Sequence, residues 1–500
     1  MPNGERRRHG VALAVVAAFV VVALVAGGFA VYGAGIVDRL TGVDAPPERD
    51  IAPAAVPPPP PPSPLPPSPP PSPPPPRPAL DLPRALPAPP VLVAADGPTP
   101  RPNALRARVA GILADDDFGE HVGVLVEPLA RDRDLLRVGG ADRFVPASTT
   151  KLLTALAALE TLRAEHRFTT RVVRGRGPSI VLVGGGDPLL AAAPPPTGEL
   201  GAPTPATLSE LAAQAAARLR ADGVRRIRLG YDSSLFTGPA ASPTWEPSYV
   251  PGDVVTPISA LWADEGRVSP GGARRHDDPA RAAADTFARR LERRGMVVRG
   301  RPVPTVAGAG AAEVAAVSSP PLVQIVEHTL AASDNEAAEV LLRHVGLETG
   351  RPGSFAGGVA GVRATLDELG VDLRRVRMYD GSGLSRANRV TLETLADTLR
   401  VAADPAHPGL RRVVSGLPVA GFTGSLAYRF TLRADRGLGV VRAKTGTLSG
   451  VHALAGVTLD RAGSAVIFVA VADRVDLVDT LDARALLDRL AAAVASCGCR

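Results

Sequence analysis

One segment, Pro146–Leu159, most constrains the fold, because it combines a helical apolar pattern with two reactive side chains. Its apolar residues recur with the spacing of an α-helix: Leu152, Ala155, Leu156 and Leu159. Ser148 and Lys151 lie three residues apart and therefore share a face of that helix. We expect this face to place the ammonium group of Lys151 in a partly desolvated cleft. Burial lowers the pKa of a lysine, so Lys151 is a candidate base for a Ser148 nucleophile.

Two later motifs indicate whether the pair Ser148 and Lys151 is catalytic. Ser333-Asp334-Asn335 by itself is typical of a helix cap, and Lys444-Thr445-Gly446-Thr447 by itself is typical of a polar strand end. Together with Ser148-x-x-Lys151 they occur once each, in the order known from penicillin-binding proteins and class A β-lactamases. The joint occurrence is far more specific than any one motif, and it favours a catalytic interpretation of all three.

Over roughly residues 104–494 the chain resembles the low-molecular-mass class C penicillin-binding proteins, which are D-alanyl-D-alanine carboxypeptidases and endopeptidases. About 185 residues separate Ser148 from Ser333, and this family places an insertion between these motifs. Four further short motifs support the resemblance: Gly184-Gly185-Gly186-Asp187-Pro188, Tyr231-Asp232-Ser233-Ser234-Leu235-Phe236, Asp380-Gly381-Ser382-Gly383-Leu384-Ser385 and Leu417-Pro418-Val419-Ala420-Gly421. The turns at 187 and 380–385 are equally consistent with substrate contacts and with structural roles.

The resemblance implies a catalytic role for each of three side chains. Ser148 would attack the carbonyl between two terminal D-alanines, with Lys151 as the base that accepts its proton. Ser333 would relay a proton to the leaving amine. Water, or the amine of another peptide, would then resolve the acyl-enzyme. No cofactor is implied, and the sequence contains no His/Cys/Asp/Glu grouping with metal-ligand spacing.

The resemblance also implies substrate contacts in the second and third motifs. Asn335 would hold the substrate amide, because its side chain offers a donor and an acceptor in one plane. Lys444 would attract the terminal carboxylate, and Thr445 would add a hydroxyl beside it. The oxyanion would lie between the backbone N–H groups of Ser148 and Thr447. The expected partners are peptidoglycan stem peptides, with β-lactams as inhibitors.

The order of predicted elements indicates an α+β fold. We expect a β-lactamase/transpeptidase-like domain, an antiparallel sheet flanked by helices, formed by residues 104–166 and 306–500. Residues 167–305, between the first and second motifs, are predicted to form an inserted domain. Near the third motif we predict strands at 439–442, 451–459 and 465–471.

The N-terminal hundred residues differ in character from the rest. Residues 1–10 are basic and predicted to be cytoplasmic, and the uncharged apolar run 11–37 is long enough to be a single-pass transmembrane signal anchor. A cleaved signal peptide is the alternative. Residues 38–103 are dominated by proline and predict an extended spacer. The catalytic part would then lie outside the plasma membrane, on the cell-wall side.

Composition narrows the remaining possibilities. The net charge of +6 comes mostly from scattered arginines, without clustered Lys/Arg runs interleaved with aromatic residues, so nucleic acid is not an expected partner. The only cysteines, Cys497 and Cys499, cannot provide a disulfide framework, and we expect an inert or intermolecularly oxidised tail.

Two other functions stay open at this point: a β-lactamase or esterase on the same scaffold, and a non-catalytic wall-associated scaffold. Between Lys151 and Ser333 there is no Glu-x-x-x-Asn of the kind that activates water in class A β-lactamases. The acidic residues of the predicted insertion, such as Glu199, Glu210 and Glu246, have no spacing that aims one at Ser148.

Overall fold

The structure, a computed structural model, describes residues 97–130, 134–140, 142–195 and 203–499. The predicted basic N-terminus, apolar anchor and nearly all of the proline-rich spacer lie outside these residues. Within the part of the chain that is described, none of the helices has the length and apolar character needed to cross a bilayer.

Besides the four-residue helix Arg412–Ser415, the described residues form nine α-helices and eleven strands, several of which follow one another without alternating. The helices are α1 (Pro102–Leu113), α2 (Thr150–Leu162), α3 (Leu208–Ala221), α4 (Pro279–Arg293), α5 (Leu322–Ala332), α6 (Asn335–Glu348), α7 (Phe355–Glu368), α8 (Leu392–Ala403) and, at the C-terminus, α9 (Thr480–Ala495). The strands are β1 (Val122–Pro128), β2 (Leu136–Val138), β3 (Thr169–Arg174), β4 (Ser179–Val183), β5 (Arg226–Asp232), β6 (Val297–Val298), β7 (Val303–Pro304), β8 (Glu313–Ser318), β9 (Arg442–Leu448), β10 (Val451–Leu459) and β11 (Ala465–Ala472).

The first sheet joins the two ends of the described chain. Its strand order is β2-β1-β11-β10-β9, and every neighbouring pair is antiparallel. The central strand β11 is apolar along its whole length because both of its faces are covered. Alternate residues point to opposite faces: Ile467 and Val469 belong to one apolar cluster, while Phe468 and Ala470 belong to another.

Helices cover both faces of this sheet. Residues of α2, α5, α6, α7 and α8 form the core on one face, and residues of α1 and α9 form the core on the other. Helix α2 is buried almost all round, as expected for a helix whose apolar residues extend over every side. It carries the first motif into the interior of the molecule, next to the edge strand β9.

The second sheet lies between α2 and α5 in the chain. Its order is β6-β5-β4-β3-β8, with β7 also paired to β5. Strand β4 is antiparallel to β3 and parallel to β5, so the sheet is mixed. Its apolar cluster includes residues of α3 and α4. Strand β8 extends this sheet beyond residue 305, where we predicted the insertion to end.

Most predicted elements are present, but the strand at the third motif is shifted. We predicted it at 439–442, whereas β9 runs from Arg442 to Leu448 and contains the motif itself. The preceding residues turn away because they pair elsewhere: Gly439 N–H donates to Ala420 O at 3.0 Å, and Ala420 N–H donates to Val441 O at 3.0 Å. Strands β2, β6, β7 and β8 were not predicted.

The C-terminal cysteines also differ from expectation. Cys497 and Cys499 form a disulfide with each other, with their Cα atoms 5.0 Å apart, rather than an intermolecular bridge. The tail is docked, since Cys497 is buried and the carbonyl of Cys499 accepts a hydrogen bond from Arg101 N–H at 2.8 Å. Docking against the start of α1 keeps the two sulfur atoms within the molecule.

Candidate active site

Ser148 lies in a tight turn that leads into α2. The turn, Ala147–Thr149, is a single 3₁₀ turn, and Ala147 has a left-handed φ of 46°. Gly383 packs directly against it: a Cβ on this glycine would come within 1.8 Å of Ala147 O. No larger residue fits there, which explains the glycine. The side chain of Ser148 is partly exposed, so a substrate can reach it.

Lys151 is completely buried, one helical turn behind Ser148. Its Nζ donates to three acceptors: Ser148 Oγ at 3.0 Å, Asn335 Oδ1 at 2.8 Å and Ser382 O at 2.8 Å. An ammonium group has three donors, so every one is used. These contacts aim Nζ at the serine hydroxyl.

Burial lowers the pKa of Lys151 from 10.5 to about 8, while the negative charges of Asp334, Glu339 and Asp380 act in the opposite direction. The neutral amine, which can accept a proton, is therefore present in a useful amount near neutral pH. This is the electrostatic condition for a lysine to act as a general base. The sequence predicted partial desolvation, and the structure has the side chain fully enclosed.

The second motif spans the junction of two helices. Ser333 ends α5 in a left-handed conformation with φ 60°, and Asp334 caps α6 by accepting from Ala337 N–H at 2.9 Å. Asn335 is the first residue of α6. One lone pair of its Oδ1 accepts from Lys151, so its amide N–H groups and the second lone pair remain for a substrate. The role of Asn335 as both donor and acceptor to the substrate amide stays a prediction.

The third motif lies on the edge strand β9, and it faces the second motif. Lys444 Nζ donates to Ser333 Oγ at 2.9 Å and to Thr445 O at 2.9 Å. Burial lowers the pKa of Lys444 well below its usual value, and the positive charges of Lys151 and Arg429 lower it further. Because Lys444 is fully buried, its contact with a substrate carboxylate stays a prediction.

Strand β9 also approaches the nucleophile turn closely. A Cβ on Gly446 would meet Pro146 O at 2.7 Å, so this position excludes every side chain. Thr447 is exposed, and Thr445 Oγ1 lies 2.8 Å from Ser425 Oγ. Ser425 was not identified from the sequence; the segment that follows Leu417-Pro418-Val419-Ala420-Gly421 brings it beside the motif.

The turn 380–385 holds the carbonyl that binds Lys151. Asp380 accepts hydrogen bonds from Ser385 N–H at 2.6 Å and from Trp245 Nε1–H at 2.8 Å. Asp380, Ser382 and Ser385 are all buried. These contacts give the turn a structural role, one of the two interpretations that the sequence allowed. The buried Trp245 is an anchor for this turn.

Glu339 orients the same turn, and sequence reasoning missed it. Its two carboxylate oxygens accept from Gly381 N–H at 2.9 Å and from Ser382 N–H at 2.7 Å. Burial and the neighbouring Asp380 raise the pKa of Glu339, and the hydrogen bonds from Ser382 and Gly381 act in the opposite direction. Its position four residues after Asn335 was the available signal, because side chains at i and i+4 share a helix face.

Two other buried titratable residues, Asp187 and His452, make none of the hydrogen bonds described above. Asp187 is buried in the turn after β4, where its Oδ1 accepts from Leu189 N–H at 2.9 Å, and burial raises its pKa to about 7. Burial also lowers the pKa of His452, beside the third motif, to about 4. A surface cavity of about 410 Å³ lies between the end of α1 and residues 474–479 and contains none of the motif residues. The hydrogen bonds among the motifs, not cavity size, identify the site.

Comparisons with known proteins agree with this geometry. The family model of the D-Ala-D-Ala carboxypeptidase 3 (S13) family matches residues 105–274 and 271–494. A carboxypeptidase of Mycobacterium tuberculosis is 37% identical over 433 residues, covering 83% of this chain and 90% of the relative. A D-alanyl-D-alanine carboxypeptidase of an Actinomadura species is 32% identical over 463 residues, covering 74% of this chain and 81% of the relative.

Among solved structures, the fold is similar to that of penicillin binding protein 4 from Haemophilus influenzae. The TM-score is 0.63 with 21% identity, covering 76% of this chain and 98% of the other. At this identity the likeness concerns the fold. It confirms the predicted α+β architecture, with an antiparallel sheet flanked by helices.

Proposed function

The chain belongs to the D-Ala-D-Ala carboxypeptidase 3 (S13) family, and on this premise we propose how its three motifs share the work of a serine D-Ala-D-Ala carboxypeptidase. The observation that carries the proposal is the convergence of Lys151 Nζ on Ser148 Oγ at 3.0 Å and of Lys444 Nζ on Ser333 Oγ at 2.9 Å. The substrates are peptidoglycan stem peptides, and β-lactams acylate the same serine.

Acylation begins when neutral Lys151 takes the proton of Ser148. The Oγ–C bond forms at the carbonyl between the two D-alanines, and the oxyanion is held by the backbone N–H groups of Ser148 and Thr447. As the C–N bond breaks, Ser333 relays a proton from Lys151 to the leaving amine. Ser333 gives its own hydrogen to the amine and receives the proton that Lys151 took from Ser148. Ser333 is thereby restored, and Lys151 is neutral again.

Lys444 directs this relay. Because Lys444 Nζ donates to Ser333 Oγ, a lone pair of that oxygen is occupied and its own hydrogen is free to point towards the leaving amine. Asn335 donates from its amide N–H groups to a substrate carbonyl, while its oxygen accepts from Lys151. Thr445 and Thr447 add hydroxyl donors for the terminal carboxylate along the edge strand.

Deacylation distinguishes a peptidase from a β-lactamase. Glu246 forms an ion pair with Arg386 at 3.3 Å, Glu210 is in α3, and Glu199 lies outside the described residues. Among the described residues of the insertion, Glu246 is therefore engaged by an arginine. After β-lactam opening the leaving group also stays tethered and obstructs water, whereas D-alanine diffuses away.

Intact mass spectrometry and product analysis test the proposal together. The protein should gain the mass of one penicillin and keep it for many minutes, while the untreated protein releases D-alanine from stem pentapeptides. Ser148→Ala should do neither. Rapid turnover of penicillin without attack on D-Ala-D-Ala peptides would instead favour the β-lactamase, and full labelling of Ser148→Ala would remove Ser148 from the mechanism. Cleavage of D-Ala cross-links in muropeptides would add endopeptidase activity.

The proposed location is the outer face of the plasma membrane. The uncharged run 11–37 supports an anchor, and the preceding arginines support a cytoplasmic N-terminus. As polyproline II, about 50 residues of the spacer would reach on the order of 150 Å into the wall. Membrane fractionation tests this location, and a mature N-terminus mapped after residue 30 would show cleavage instead.

A further inference from the structure

Three metal-ligating side chains converge behind the second motif. Glu265 comes from the turn before α4, His328 from α5, and Asp334 from the cap of α6. Their ligand atoms all lie within 4.8 Å of one another. Glu265 and His328 have no part in the catalytic roles proposed above, so this cluster needs its own explanation.

Asp334 has an oxygen aimed into the cluster that the fold does not satisfy. Its Oδ1 caps α6, while its Oδ2 is buried and has no hydrogen-bond partner among the described residues. The side chain is only 5% exposed, and Oδ2 lies 3.8 Å from His328 Nε2. That separation is too long for a hydrogen bond. Two ligand atoms that each lie about 2.0–2.1 Å from one tetrahedral zinc ion are roughly 3.3–3.4 Å apart, so a side-chain shift of about half an ångström would bring this pair to the spacing of zinc ligands.

The carboxylates around the cluster outnumber the arginines that contact them. Three carboxylates, those of Glu265, Asp334 and Glu336, face two guanidinium groups. Arg267 Nε donates to Glu265 Oε2 at 3.0 Å, and Arg275 Nη2 donates to Glu336 Oε1 at 3.0 Å. Asp334 has no arginine of its own among these contacts. The Asp334 carboxylate is thus left without an arginine, and either a proton shared by Glu265 and Asp334 or a bound cation would add to the compensation that the buried Lys151 gives it.

The backbone holds Glu265 towards this point. Asp264, Glu265 and Gly266 have successive left-handed φ values of 52°, 56° and 71°. Such a run is unfavourable for residues with side chains and persists only where surrounding contacts impose it. Thr256 Oγ1 supplies one such contact by donating to Glu265 O at 2.6 Å. Arg267 fixes one carboxylate oxygen of Glu265 and leaves the other for the cluster.

We propose that Glu265, His328 and Asp334 bind one Zn²⁺ ion. An imidazole nitrogen with two carboxylate oxygens is a donor set that suits zinc better than magnesium or calcium, and a fourth position remains for water. Solvent reaches the site, because the side chains of His328 and Glu265 are 31% and 19% exposed. The ion would tie the 264–266 turn to the cap of α6, and so to Ser333 and Asn335. The inference does not depend on the proposed peptidase activity.

Zinc binding by the full-length protein tests the proposal. The protein is purified under oxidising conditions, stripped with a chelator, and titrated with Zn²⁺ in competition with a chromogenic chelator. We expect one zinc per chain. Affinity should fall at least tenfold in Glu265→Gln and in His328→Gln, and should be unchanged in the control His407→Gln. Zn²⁺, but not Mg²⁺ at the same concentration, should raise the unfolding temperature of the wild type and of the control only.

Two results would overturn the proposal. One is the absence of zinc binding at micromolar concentration; the other is equal affinity in the wild type and in both cluster variants, which would place the ion elsewhere. If Glu265 and Asp334 share a proton instead, the unfolding temperature will be the same with Zn²⁺ and with chelator. Because the titration and the unfolding curves need no substrate, loss of catalysis in a variant cannot be mistaken for loss of the metal.

Discussion

The pH dependence of acylation is the most direct test of Lys151 as the base. Burial lowers its pKa to about 8, and only the neutral amine accepts the proton of Ser148. The neutral fraction of such a group is about 1% at pH 6, about 9% at pH 7, about 50% at pH 8 and about 90% at pH 9. The sign follows from these fractions: acylation is slow in acid and rises with pH until it levels off above the pKa.

The expected rate constants follow the same fractions. Acylation by a fluorescent penicillin should accelerate about tenfold between pH 6 and pH 7, about fivefold between pH 7 and pH 8, and less than twofold between pH 8 and pH 9. Samples are quenched over time, separated on a gel and quantified by fluorescence. Thermal unfolding of the same samples at each pH establishes that the protein remains folded across the range.

Two substitutions separate a base from a fixed positive charge. Lys151→Ala should lower the acylation rate by about 10² or more and remove the rise with pH, as for the loss of a general base. Lys151→Arg keeps the charge and the donors, but an arginine does not lose its proton in this range, so it should be equally impaired. A flat wild-type profile in folded protein, or a Lys151→Arg variant at the wild-type rate, would refute the assignment.

Two further predictions concern residues that position the site. Glu339→Gln exchanges one acceptor for a donor that faces the backbone of the 380–385 turn, so it should lower the free energy of unfolding by about 1–3 kcal/mol and slow acylation. Chemical denaturation measures the stability, and penicillin labelling measures the acylation rate. The control Glu348→Gln, exposed at the end of the same helix, should change neither. Gly446→Ala puts a Cβ 2.7 Å from Pro146 O and should slow penicillin labelling at least tenfold. The control Gly111→Ala, with no atom within 4 Å of its Cβ, should leave labelling unchanged and stabilise α1 by about 0.5–1 kcal/mol. Normal labelling of Gly446→Ala would show that the strand can move away.

Some elements of the fold could be predicted from the sequence, and others could not. The helix that contains Leu152 was predictable because its apolar residues repeat with the helical period over more than two turns. Strand β9 was placed too early because Gly439 and Val441 pair with residue 420, and a single sequence does not contain that partnership. Strand β8 was missed for a similar reason: its pairing with β3 joins residues 140 to 149 positions apart.

By itself, the sequence determined the α+β class and the identity of the motif residues, because the spacing Ser148-x-x-Lys151 and the motifs at 333 and 444 are local patterns. Only the tertiary structure decided what those residues contact. It buried Lys151 completely, turned the Asn335 oxygen towards it, placed Lys444 against Ser333, and recruited Glu339 to hold the 380–385 turn. These are contacts between distant segments, and their geometry depends on how helices and sheet pack, which no local spacing specifies.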